Sequence, residues 1–213
     1  KLNIEMCLVA NANQMLPAAT GMTGVHTSLD NIVEDFNRLG LLDRGPTVEY
    51  TLGIPVGVFV IGYSEDPWIQ KEMRYFKMGQ GPHFLFFAPH VLCQFDAVPS
   101  IAEAVLYQNP IIAPKGAPRT EVAAFAKREL LRGHKLDGIG GYDCYGLIAD
   151  KEHAQEEDLL PVGLAPFVRL KRTLSRDEPV RFSDVEMEEQ NVLTRLRAEQ
   201  ERKFAGDTYI AVA

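Results

Sequence analysis

A lysine, two closely spaced glycines and two histidines share one short stretch, Phe76 to Asp96, written FKMGQGPHFLFFAPHVLCQFD. Gly79 and Gly81 can take backbone angles that other residues avoid and let a ligand approach the main chain, with Gln80 between them, while Lys77 supplies a fixed positive charge beside them. A segment of this kind can hold an anionic group through an ammonium and the loop amides, or it can simply be a tight turn into a core strand. His83, His90 and Cys93 are also metal-ligand types. A regular strand sends His83 and His90 to opposite faces, and only a bend at Pro89 would bring them together, so no metal site is expected. A second pair opens the chain: Lys1 and Glu5 stand four apart on a helix face, as a surface ion pair or as an acid and base at a cleft. Asn11 and Asn13 can hydrogen-bond a hydroxylated substrate, or close the end of that first helix.

Hydrophobic spacing sets out the elements that must position these groups. Residues 1–16 read as a helix with Ile4, Leu8 and Met15 near helical period. Pro17 to Gly24 breaks it. Thr27-x-x-Asp30 then has the form of a capping box ahead of a second helix, whose apolar face is Leu29, Ile32, Val33, Phe36 and Leu39, with Gly40 at its left-handed end. Gly53 to Tyr63, GIPVGVFVIGY, reads as a buried strand. Asp66 caps a helix with Pro67 in its first turn and Ile69, Met73 and Phe76 inward. His83 to Ala88 is a further strand, and Ser100-x-x-Glu103 caps a helix that ends near Tyr107, ahead of Pro110. This order predicts an α+β fold, a mixed sheet with helices on one side, in a substrate or catalytic domain over residues 1–113.

Asn109 to Pro118, NPIIAPKGAP, is a stiff connection. Beyond it, KRELLRGHKL from Lys127 and KRTLSRDEPV from Lys171 repeat Lys, Arg, Leu and Arg at matching places. Two such copies, each a strand, a turn and a strand, fit a small pseudo-symmetric β domain over 114–186. Residues 121–127 taken alone could equally be helical. Gly138-Ile139-Gly140-Gly141 has the glycines of a phosphate loop without a helix start after it, so a strand-bending turn is expected. The acidic run Glu152 to Asp158 reads as a solvated loop or short helix. Asp184 to Ala205 reads as a helix with Val192, Leu193 and Leu196 on one side, followed by a short strand at Tyr209 to Val212. Residues 187–213 are expected to dock on the first domain.

Composition narrows the function classes. The chain of 213 residues is 46% hydrophobic and 24% charged, values that exclude a disordered or collagen-like chain, and no apolar run is long enough to span a bilayer. A formal net charge of -7 repels phosphate backbones, so nucleic acid is not an expected partner, and neither is a membrane. Cys7, Cys93 and Cys144 are widely spaced and lack a Cys-x-x-Cys pair, which suggests reduced thiols in a cytoplasmic protein. The expected partners are a small-molecule substrate and further copies of the chain.

Several segments together resemble the homoserine dehydrogenase-like oxidoreductases that carry a C-terminal SAF domain, a group that includes the deoxyxylulose phosphate reductoisomerase-like enzymes. They are KLNIEMCLVAN at Lys1, GVFVIGY at Gly57, YFKMGQGPHFLFFAPH at Tyr75, SIAEAVL at Ser100, AKRELLRGHKLDGIGGYDCYG at Ala126, LLPVGLA at Leu159 and LRAEQERKF at Leu196. The resemblance implies hydride exchange between NADP or NAD and an alcohol or ketone. Such families begin with a Rossmann domain whose Gly-x-Gly-x-x-Gly turn has no counterpart near the start of this sequence, so the cofactor is expected to be held mainly by a domain outside it. By the same resemblance Lys1 matches a lysine that serves proton and hydride transfer at a carbonyl. Charge growing on the substrate oxygen needs a cation or proton donor, and Lys77, Lys1 and His90 are the candidates, with Glu5 beside Lys1. A second class stays open: SAF domains also resemble modules that bind a carbohydrate or protein partner without chemistry.

Overall fold

The computed structural model describes residues 1–89, 92–187 and 191–204; His90 and the expected Tyr209 to Val212 strand lie outside the described residues. In chain order the elements are α1 (Leu2–Asn13), β1 (Leu16–Pro17), β2 (Val25–His26), α2 (Ile32–Arg38), β3 (Thr47–Val48), β4 (Thr51–Leu52), β5 (Val58–Tyr63), α3 (Pro67–Tyr75), β6 (His83–Ala88), α4 (Cys93–Tyr107), β7 (Thr120–Ala126), β8 (Cys144–Asp150), α5 (Lys151–Glu156), β9 (Val168–Leu170), β10 (Val185–Met187) and α6 (Val192–Lys203). This is an α+β protein. In place of one mixed sheet, the described strands pair two by two: β1–β3 and β2–β4 parallel, β5–β6, β7–β8 and β9–β10 antiparallel. The strands β1 to β4 are two residues each and sit among Pro17, Gly24, Pro46 and Gly53, which prevent a longer ladder.

The chain forms two compact units that do not follow sequence order. One contains residues 1–23, 46–49 and the described residues from 112 onward; the other contains 24–45 and 50–111. Residues 1–23, expected with the first domain, pack with the C-terminal β region because α1 carries Asn3, Cys7 and Asn11 on one face at four-residue spacing. The Asn3 carboxamide oxygen accepts from the Ile148 amide at 2.9 Å. Asn11 accepts from the Arg119 and Thr120 amides at 2.8 and 3.0 Å and donates to the Thr120 carbonyl at 3.2 Å. Cys7 Sγ lies 3.3 Å from the Thr120 hydroxyl. This stripe satisfies backbone groups that the two-stranded β7–β8 ladder leaves over.

The repeat seen at Lys127 and Lys171 is built into the hydrogen bonding of this unit. Leu130 and Leu174 face each other across an antiparallel bridge, each amide donating to the other's carbonyl at 2.9 Å. Flanking bonds come in matched pairs. The Gly133 amide donates to Leu170 as the Asp177 amide donates to Ala126, and Leu136 donates to Val168 as Val180 donates to Ala124. Gly133 and Asp177 both take positive φ, 84° and 64°, at equivalent turns. Each copy also has its own buried aspartate. Asp143 receives Arg128 at 2.6 Å, His134 at 2.8 Å and the Asp137 amide at 3.0 Å, and Asp184 receives Arg172 and, at 3.1 Å, the Arg181 amide. Residues 121–127, ambiguous in sequence, lie on β7 up to Ala126, and the Gly138 to Gly141 segment is a turn into β8 held by the Asp137 carboxylate, which accepts from the Asp143 amide at 3.1 Å.

Burial alone would raise the Asp143 carboxyl, but the bonds from His134, the Asp137 amide and Arg128 hold it below the ordinary carboxylate value. A depressed folded-state pKa adds stability that is present above the unfolded value, about 3.9, and is lost as pH falls through the folded value. Asp143→Asn is therefore expected to cost about 1–3 kcal/mol at neutral pH, with the gap to the parent closing under acid. Thermal melts of both proteins across that pH range measure it, and a gap that persists unchanged in acid would contradict the ionic role.

α6 begins at Val192, later than the expected Asp184, and its charged face pairs within the same unit, not with the region expected to form the first domain. Lys151, 7% exposed, donates to Glu201 at 2.8 Å and to Glu121 at 3.4 Å, and Arg197 pairs with both carboxylates. Burial would raise the Glu201 carboxyl; Lys151 and Arg197 hold it low instead.

In the other unit, β5 and β6 form a hairpin with Val60 opposite Phe86 and Tyr63 opposite His83. α2 packs on one side of it, the Phe36 and Phe59 rings meeting edge to face at 5.8 Å. The expected Thr27 capping box does not form. The Thr27 hydroxyl donates to Asp35 at 2.6 Å, and α2 starts at Ile32 after an Asn31 cap that has no side-chain bond. Asp66 does cap α3, accepting from the Trp68 and Ile69 amides at 2.8 and 3.0 Å with Pro67 in the first turn. α4 begins at Cys93, upstream of the expected Ser100 cap, because the Ser100 hydroxyl bonds back to the Asp96 carbonyl at 2.8 Å inside the helix.

Candidate functional site

Lys77 occupies an unusual backbone position. α3 ends in a Schellman arrangement: the Met78 amide donates to the Met73 carbonyl and the Lys77 amide to the Arg74 carbonyl, both at 3.0 Å. The residue that closes such an end takes left-handed angles and is usually glycine, yet here it is Lys77, at φ 60°. A side chain at that position costs about 1–2 kcal/mol of backbone energy. Three of the other side chains with positive φ are tied down: Gln14 donates to the Asn11 and Lys115 carbonyls, Asp158 accepts from the Ser183 amide at 2.9 Å, and Asp177 accepts from the Tyr145 hydroxyl at 3.0 Å. The Lys77 ammonium has no hydrogen-bond or ion-pair partner among the described residues and stands exposed.

The loop that follows carries two more positive-φ residues, Gly79 at 112° and Gly81 at 80°. A Cβ at Gly81 would lie 2.7 Å from the buried Phe84 ring, so glycine is required there for space as well as angle, whereas Gly79 faces open space. The Gln80 carbonyl is fixed by Arg74 at 3.1 Å, which leaves the Gln80 side chain exposed. His83 starts β6, half-buried, its ring 5.0 Å from that of Tyr63. Lys77, Gly79, Gln80, Gly81 and His83 thus form one connected loop and strand start in one unit.

The remaining candidates fall elsewhere. Lys1 and Glu5 form an exposed pair at 3.5 Å on α1, in the other unit, where such contacts contribute little to stability. Asn11 spends both ends of its carboxamide on Arg119 and Thr120 at the start of β7, and Asn13 donates to the Val9 carbonyl at 3.0 Å near the helix end. Among the described residues no group of three or more His, Cys, Asp or Glu side chains converges as a metal centre would. Burial, followed by Asp143 and Asp137, pushes the Cys144 thiol up to about 12, and burial raises Cys7 too, so neither is a thiolate nucleophile at neutral pH.

Sequence reasoning missed the Lys151, Glu121, Arg197 and Glu201 network, which borders a cavity of about 370 Å³ walled on its apolar side by Leu159, Leu164, Phe182 and Met187. Only Arg197 and Glu201, four apart on one helix, left a local signal.

A mixed helix and strand unit that presents an unpaired lysine beside two glycines suits recognition of an anionic or polarised group. Residues 1–97 match the family model described as Oxidoreductase DRL, catalytic domain, which supports an oxidoreductase role. All the candidate residues from Lys1 to His90 fall inside that match, and the pseudo-symmetric β region lies beyond it. No curated protein matches the chain. Among the described residues no helix is long and apolar enough to cross a membrane.

Proposed function

We propose that the protein is the catalytic portion of an NAD(P)-dependent oxidoreductase of the homoserine dehydrogenase-like group, acting on a small polar hydroxy or keto substrate such as a sugar phosphate, a sugar acid or a homoserine-like compound. The match of residues 1–97 to an oxidoreductase catalytic domain carries this reading. Lys77 supports it as the group that meets negative charge: its ammonium is free among the described residues and its backbone is held in a costly conformation. With the Gly79 and Gly81 segment alongside, it would fix a carboxylate or phosphate of the substrate, or stabilise the oxygen on which charge grows. Lys1 with Glu5 is a secondary candidate for proton transfer, by resemblance.

The described residues do not fit a dinucleotide site. Their parallel pairings are only the two-residue β1–β3 and β2–β4 contacts, and the glycine turn at Gly138 leads into β8, not into a helix N-terminus. The nicotinamide is therefore assigned to residues outside those described. The test is a titration of the intact gene product with NADPH and NADH, followed by the cofactor's fluorescence. Saturable enhancement with one of them is expected, and no response to either would sink the nicotinamide assignment.

A second reading gives the C-terminal β region the role of an SAF-type binding module for a carbohydrate or protein partner. The matched hydrogen bonds about Leu130 and Leu174 and the cavity beside Lys151 favour it. It is compatible with the first reading, because the family match ends at residue 97.

A further inference from the structure

Three donors converge on the Glu201 carboxylate of α6. Lys151 Nζ donates to its Oε1 at 2.8 Å, Arg197 Nη2 lies 2.7 Å from the same oxygen, and the Gln155 side-chain amide donates to its Oε2 at 3.3 Å. The donors are better fixed than the acceptor. The side chain of Lys151 is 8% exposed and that of Arg197 19%, whereas that of Glu201 is 40% exposed and belongs to a helix with no buried residue. Segments with few buried contacts open at the lowest cost, so Glu201 is the member of the network most easily released. Its release has a definite sign. Lys151 and Arg197 then face Glu121 alone, since Asp158, the other acid on the cavity wall, accepts from the Ser183 amide at 2.9 Å and pairs with neither cation. A positive charge left without its partner in a largely buried place is costly, and an anion is the group that answers it. Beside these donors lies the cavity of about 370 Å³, within the range of about 300–1,000 Å³ for small-molecule sites, with its apolar wall of Leu159, Leu164, Phe182 and Met187.

We propose that this cavity binds a small amphipathic carboxylate, its headgroup replacing Glu201 on Lys151, Arg197 and Gln155 and its hydrocarbon body lying against Leu159, Leu164, Phe182 and Met187. Both parts of the ligand are needed. A bare anion must displace a carboxylate of equal charge that is tethered to the same chain and therefore present at high effective concentration. The apolar body tips that exchange, because it leaves water for the apolar wall. An apolar cation buries the same surface but meets Lys151 and Arg197, and like charges at a poorly solvated site repel. Glu201 is thus a built-in competitor, and the affinity of the site is set by how readily its side chain turns outward. The proposal does not rest on the oxidoreductase reading, and it requires neither a carbohydrate nor a protein partner.

Isothermal titration calorimetry of the intact protein with octanoate, acetate and octylamine tests this. Saturable binding of octanoate at one site is expected, with a Kd below about 1 mM, and no saturation by the other two. Glu201→Gln removes the charge of the competitor and should tighten octanoate by about tenfold or more, a gain that a merely structural ion pair does not give. Ala198→Phe, placed on the exposed α6 side of the cavity, should weaken octanoate by about tenfold or more while its circular dichroism stays that of the parent. Octanoate that does not bind, octylamine that binds as tightly, a Glu201→Gln protein no better than the parent, or an Ala198→Phe protein as good as the parent would each overturn the proposal.

Discussion

Lys77→Ala is expected to lower kcat/KM by about 100-fold or more, the loss that follows removal of one preorganised charge-stabilising donor, while leaving thermal stability within about 0.5 kcal/mol of the parent. Lys77→Gly makes the sharper companion. Glycine is the residue that the left-handed end of α3 favours, so this variant should be equally stable or up to about 1 kcal/mol more stable and yet equally inactive. A residue whose replacement improves the fold and destroys turnover is retained for chemistry. The kinetic split locates the role: a raised KM with unchanged kcat assigns Lys77 to an anionic substrate group, and a fall in kcat assigns it to charge that develops during reaction. Parent-like kinetics in both variants would remove Lys77 from the site.

The second large effect is on stability. Leu130 and Leu174 are fully buried and face each other across the pseudo-two-fold bridge of the C-terminal β region. Truncating either to alanine removes buried methyl groups from a close-packed position and should cost about 3 kcal/mol, within the range of 2–5 kcal/mol for such changes. Because the two positions are equivalent, the two variants should cost nearly the same. Because they are neighbours, the double variant should cost less than the sum, by at least about 0.5 kcal/mol. Urea unfolding of the four proteins measures this cycle. One silent position and one costly one would mean that the repeat is a likeness of sequence without equivalent packing.

What could be read in the sequence was local chemistry. Asp66 followed by Pro67 announced the start of α3, because the cap and the proline act within one turn. The Lys-Arg-Leu-Arg repeat announced the two-fold, because each copy uses the same residue types at the same turn. Thr27 failed as a cap because a partner eight residues away, Asp35, competes for its hydroxyl. The placement of α1 failed for a similar reason at longer range. Asn11 reads in the sequence as a substrate contact or a helix-end residue, while the partners of Asn3, Cys7 and Asn11, namely Thr120 and Ile148, lie more than a hundred residues away, where periodicity has no reach.

The candidate site was legible to the same extent. Type and spacing single out Lys77, Gly79 and Gly81, which lie on the loop between α3 and β6. That Lys77 closes the C-terminal end of α3 in left-handed geometry could not be read, since glycine is the residue that signals such an end and lysine does not. The Lys151 network was invisible because Glu121, Lys151 and Arg197 come from three separate elements.

The most direct measurement is steady-state oxidation of NADPH and NADH, followed by their absorbance, by the intact gene product against a panel of small keto sugars, sugar phosphates and keto acids. Turnover with at least one member of the panel, dependent on Lys77, is the expected result. Failure of both cofactors to be oxidised across the whole panel by properly folded protein would contradict the oxidoreductase assignment.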